Sequence, residues 1–223
     1  MYIDLNGVGN QATFAKQVDI LLSQRDAEFV YFAEDDYVYL PDQFNLMLRF
    51  LRDRQDVDFV SPYDHLDCYR LDLHREPKWL TVFEGRHWRT AASTCLTFLT
   101  RKTTLARYAR VFRTYAHRND DCAVWLSLTK RRVLDPLALS RFLARGEFYW
   151  KSLVKAWFFC WPQIIFGKTA KLWVPVPGIA THWCAGLFSP GFDWISFMRS
   201  EASRTEVLEA ASTARTREIH SAG

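Results

Sequence analysis

The stretch FVYFAEDDYVYLPDQF, residues 29–44, sets the reading of the whole chain. FVYFA (29–33) is a continuous apolar and aromatic run, the composition of a strand buried on both faces. Three carboxylates, Glu34, Asp35 and Asp36, follow at its carboxyl end. Past Pro41 and Asp42, Phe44, Met47, Leu48 and Leu51 recur at helical spacing, and VDFVS (57–61) reads as the next strand. On the N-terminal side, YIDL (2–5) reads as a short strand and Asn6, Gly7, Gly9 and Asn10 as a turn. A helix from Gln11 to Gln24 then carries Phe14, Val18, Leu21 and Leu22 on one face. This alternation predicts an α/β domain with a mainly parallel sheet flanked by helices, in which ligands bind beyond the carboxyl ends of the strands.

Farther along, Pro62 to Lys78 is a polar loop bearing aromatics, and Trp79 to Glu84 and Thr94 to Thr100 read as strands. Helices are expected at Thr103 to Tyr115 and Asp120 to Leu128. Residues 148–166 are dense in Trp and Phe; core packing is the favoured reading of this block, docking at a membrane surface the other. LWVPVPGIATHW (172–183) is broken by Pro and Gly into an extended segment. A domain over residues 1–194 is expected, followed by a C-terminal helix from Ile195 and a frayed tail after Ser212, together 195–223.

Composition narrows the class. The chain has 223 residues, 49% hydrophobic and 16% aromatic, which excludes a disordered or fibrous protein. Its net charge of +4 is too small at this length to imply nucleic acid. Five cysteines without a C-x-x-C pair read as free thiols in a reducing compartment. The N-terminal residues lack the basic start and apolar stretch of a secretory signal. The most apolar stretch, Ala156 to Phe166, falls short of the ~20 residues that span a bilayer. A cytoplasmic protein is expected, peripheral at the inner face of the membrane if residues 148–166 dock there.

Three carboxylates in succession repel one another unless a cation offsets them. Hard Mg2+ or Mn2+ prefers carboxylate oxygens and leaves positions open for phosphates; a solvated acidic turn explains the same residues without a metal. Asn119, Asp120 and Asp121 stand at the start of a helix, so they either cap it or supply a general base, Asp121 ahead of Asp120. His182 follows an extended segment from which an imidazole could complete a mixed oxygen and nitrogen metal site. Arg86, His87 and Arg89 form a basic cluster that either pairs with a substrate phosphate or lies in solvent.

The order of these features resembles the family 2 type of glycosyltransferase with the glycosyltransferase-A fold. The segments that carry the likeness are NGVGNQATFAKQVDILL, FVYFAEDDYVYLPDQF, the strand with Ser93 and Thr94, NDDCAVWLSL and PGIATHW, spanning about Asn6 to Trp194. The resemblance implies a metal-dependent transfer of sugar from a nucleotide-diphosphate sugar to a saccharide or lipid-linked acceptor hydroxyl, with inversion. It implies Asp36, Glu34 and His182 as ligands of Mn2+ or Mg2+, and Asp121, with Asp120 beside it, as base. Asp35, Arg86, Arg89, Ser93 and Thr94 fall to the substrate. The acidic motif is E-D-D where the family has D-x-D, and YIDLNG resembles the family's third strand, so two base-binding strand-helix units are expected to be missing from the N-terminal side. Two other readings stand beside this one. A sugar-phosphate nucleotidyltransferase also binds carboxylate-held Mg2+, but NGVGN lacks the nearby Lys or Arg of a phosphate loop. A truncated, catalytically silent binding domain is the third.

Overall fold

A computed structural model describes residues 7–135, 137–144, 149–184 and 186–205. They fall into two compact units that divide after Pro190. The expected strand at 2–5 and the tail after Ser212 lie outside the described residues; in the second unit residues 194–205 are helical.

The first unit is an α/β fold whose six-stranded sheet contains β1 (Phe29–Phe32), β3 (Phe59–Val60), β4 (Leu80–Phe83), β5 (Arg86–Ala91), β6 (Phe98–Arg101) and β7 (Leu172–Val176). The strand order is β1-β6-β3-β7-β5-β4. A second sheet pairs β2 (Tyr37–Tyr39) with β8 (Ala180–His182). The helices are α1 (Asn10–Ser23), α2 (Phe44–Asp53), α3 (Asp67–Arg70), α4 (Lys102–Arg113), α5 (Asp121–Thr129), α6 (Ala138–Ala144) and α7 (Tyr149–Phe166).

The expected mainly parallel sheet is corrected. Among the described strands of the large sheet only β3 and β7 pair in parallel; the other four pairings are antiparallel. Two local causes account for it. Glu84 and Gly85 both take positive φ, 47° and 74°, and close β4 onto β5 as a two-residue hairpin. β6 enters between β1 and β3 and runs against both.

Strand alternation divides the core in two. Val30, Phe32, Phe59, Phe98, Leu172 and Val174 face one side and pack with Phe14 of α1, Phe112 of α4 and Trp125 of α5. Their neighbours in sequence Phe29, Tyr31, Val60, Leu99 and Trp173 face the other side, against Met47, Phe50 and Leu51 of α2. β1 is thus packed on both faces, as its composition predicts, though Phe29 and Tyr31 are only half-buried. α7 departs from the core-packing expectation: it seats Leu153, Ala156, Cys160 and Ile164 and leaves Trp157, Phe158, Trp161, Ile165 and Phe166 exposed. Among the described residues no helix is long and apolar enough to cross a membrane.

Candidate active site

The chain leaves β1 through a turn at Asp35 and Asp36 and returns as β2, so the acidic triplet caps the end of a buried strand. β2 pairs antiparallel with β8, Tyr37 opposite His182. This register carries His182 Nε2 to 3.1 Å from Asp36 Oδ2, while the Trp183 amide donates to the Asp36 carbonyl at 2.6 Å. The Asp36 carboxylate stays half exposed. His182 Nδ1 is buried and meets no hydrogen-bond partner among the described residues.

Glu34 is held from the far side of the turn. Thr97 Oγ1 donates to Glu34 Oε2 at 3.0 Å and accepts from the Glu34 amide at 3.1 Å. Burial pushes the Glu34 carboxyl up; the Thr97 hydroxyl opposes this, and the charges of Asp36 and Asp121 push the same way as burial. Glu34, Asp35 and Asp36 form one wall of a cleft of about 370 Å³, with Asn10, Thr13 and Gln17 of α1 and Tyr115 on others.

The two aspartates at the start of α5 are engaged differently. Asp120 is the N-cap: its Oδ1 accepts from the Ala123 amide at 2.7 Å, and its Oδ2 lies 3.2 Å from Ser152 Oγ and 3.3 Å from Lys155 Nζ of α7. Asp121 lies in the first turn and accepts from the Cys122 amide at 2.7 Å. Its carboxyl is pushed up by burial and further by Asp120, against the pull of the Cys122 amide. Asp121, Glu34 and Asp36 all act on the Cys95 thiol, which burial and these charges together push up to about 12. The four groups therefore share one neighbourhood.

The basic cluster and the two hydroxyls are placed elsewhere or otherwise engaged. Arg86 and Arg89 are three apart in β5 and point to opposite faces. Arg86 donates to the Pro177 carbonyl at 2.7 Å, His87 is exposed, and Arg89 is buried against Asp64 at 2.5 Å. Burial pushes the Asp64 carboxyl up, with Arg89 and the Tyr69 hydroxyl opposing. Thr94 Oγ1 lies 2.9 Å from Ser61 Oγ in the interior, and Ser93 is buried beside Cys122.

Three groups near the site have no counterpart in the sequence reading. Thr97 holds Glu34, and Tyr37 packs its ring 5.2 Å from His182. His65 is the third. Tyr63 bridges Ala180 in parallel, and two residues beyond it His65 lies near enough to His182 for the two imidazoles to act on each other. Burial pushes the His65 imidazole down, while Asp67 opposes and His182 adds to the effect. The parity of Tyr63 and His65 after β3 is the signal that could have found it.

Among the described residues no three His, Cys, Asp or Glu side chains are grouped closely enough to hold a metal ion together. Mg2+ and Mn2+ do not need one, since one or two carboxylates with phosphate oxygens and water suffice. Adjacent ligands of an octahedron with bonds of about 2.1 Å lie roughly 3.0 Å apart, close to the 3.1 Å between His182 Nε2 and Asp36 Oδ2. Were Nε2 to hold such a cation, Nδ1 would carry the ring N–H, and a buried unpaired N–H costs about 1–3 kcal/mol. The Asp36–His182 pair alone therefore matches the spacing of two such ligands, the carboxylate being the harder of the two. No protein-family model, curated protein or solved structure matches this chain.

Proposed function

We propose that this cleft is the active site of a metal-dependent glycosyltransferase, which moves a sugar from a nucleotide-diphosphate sugar to an acceptor hydroxyl with inversion. The observation that carries the reading is the 3.1 Å approach of His182 to Asp36, an acid on the wall of the cleft. Asp36 and His182 would hold Mn2+ or Mg2+, with Glu34 adding negative charge beside them; when bound, the cation neutralises the charge of a departing diphosphate.

The chain's own residues supply the rest. Thr97 fixes Glu34 by two hydrogen bonds, so that carboxylate need not be ordered on binding. Asp121 takes the proton of the acceptor hydroxyl. Its carboxyl is raised towards the working pH, which suits a base, whereas Asp120 is committed to capping α5 and to Lys155. Asp35, exposed at the tip of the turn, is free to meet the sugar or ribose.

The test is transfer and binding. Asp36→Asn should abolish Mn2+-dependent turnover of UDP-sugars and the Mn2+-dependent heat of UDP binding while circular dichroism is unchanged. His182→Ala should lose less, because the Asp36 carboxylate is the harder ligand. Undiminished turnover in Asp36→Asn would overturn the reading.

A further inference from the structure

α7 is apolar on both sides. Its buried residues Leu153, Ala156, Cys160 and Ile164 follow one another at intervals of three, four and four, the stripe of a helix seated on one face, and they continue past the break in helical geometry at Cys160. A surface helix normally turns charged or polar residues outward. Here the outward side carries Val154, Trp157, Phe158, Trp161, Ile165 and Phe166, with Phe158 at 76% and Phe166 at 78% exposure. Leaving large aromatics in water forgoes about 25 cal/mol for each Å² of apolar surface, so this face calls for a cover.

Charge identifies the cover. From Lys130 to Lys171 the chain carries nine Lys and Arg against two acidic residues, Asp135 and Glu147; the remainder carries 20 against 23. The excess positive charge therefore belongs to this segment. Asp135 is itself bridged by Arg132 and Arg141. Lys151, over the Trp150 ring, stands one turn before Val154, and Lys168 is exposed just after Phe166, so a lysine flanks each end of the apolar stripe. Aromatics between lysines are the pattern of a helix lying in the headgroup layer, rings in the acyl boundary and ammonium groups among phosphates. Beside the stripe, Val154 and Trp157 with Leu134 line a mostly apolar hollow of about 480 Å³.

We propose that the exposed face of α7 docks on an anionic lipid bilayer, the helix lying in the plane of the interface. A second copy of the chain is the poorer cover, because self-pairing would set two strongly positive segments against each other. The inference stands independently of the reaction assigned to the acidic cleft.

The full chain should float with phosphatidylcholine vesicles containing phosphatidylglycerol and stay behind with phosphatidylcholine alone, and raised salt should release it. Tryptophan emission should shift to the blue on binding and be quenched by brominated acyl chains. Phe158→Ser combined with Trp161→Ser changes only exposed residues. It should leave circular dichroism and Tm unchanged and weaken vesicle binding by roughly tenfold or more. Lys151→Glu with Lys168→Glu should abolish the preference for phosphatidylglycerol. Absence of vesicle binding by the unmodified chain would overturn the proposal. So would a vesicle-free dimer, seen by light scattering, that the Phe158→Ser, Trp161→Ser protein converts to monomer.

Discussion

Neighbouring side chains of the same type take opposite parts here. Asp120 and Asp121 differ by one position, yet the first satisfies a helix N-terminus and a lysine while the second is partly buried and bonded to the Cys122 amide. A carboxyl whose pKa is higher in the fold than in the unfolded chain weakens the fold once pH rises through the folded value; below about pH 4 both states are protonated and the cost is gone. Asp121→Asn should therefore raise Tm at pH 7, and the gain should vanish as the pH falls below 4. The same substitution should lower turnover by roughly 10²–10⁴-fold, the usual contribution of a positioned base, measured with Mn2+ and a UDP-sugar. That Asp120 and Asp121 open a helix and that His182 closes an extended segment were legible from helix-start and strand-end positions. The burial of Arg89 was not, because its partner Asp64 lies 25 residues away and an ion pair leaves no local pattern.

At the scale of elements, periodicity found most helices and misjudged the sheet. The expected helix Gln11 to Gln24 is α1 within a residue, and the apolar spacing after Pro41 is α2. β5 leaves no strand signal in the sequence, because RHWRTA shows no alternation of apolar and polar residues; Trp88 and Arg89 are both buried, on opposite faces. The hairpin before it was hidden in an unremarkable Glu-Gly pair, and it is this turn, with φ positive at both residues, that sets β4 and β5 antiparallel. Gly85→Val places a β-branched side chain at φ 74°, and it should lower stability by about 1–3 kcal/mol in urea denaturation. Space is not the obstacle, since nothing lies within 4 Å of a Cβ built there. α7 misled for a different reason: density of aromatics reports apolarity, not which side of a helix is covered.

Over the whole molecule, the large sheet ends in β4, whose outward Leu80 and Val82 are 72% and 61% exposed. An uncovered edge strand with apolar side chains invites pairing with another chain. Leu80→Lys combined with Val82→Lys should reduce concentration-dependent light scattering on prolonged incubation while leaving Tm within a degree or two. The small β2–β8 sheet has a different consequence. Its three-residue strands join chain segments made early and late in synthesis, and such a distant closure is slow to find and easily undone. The approach of His182 to Asp36 should therefore form last in refolding and be lost first under mild urea, while the aromatic interior still reports a native chain.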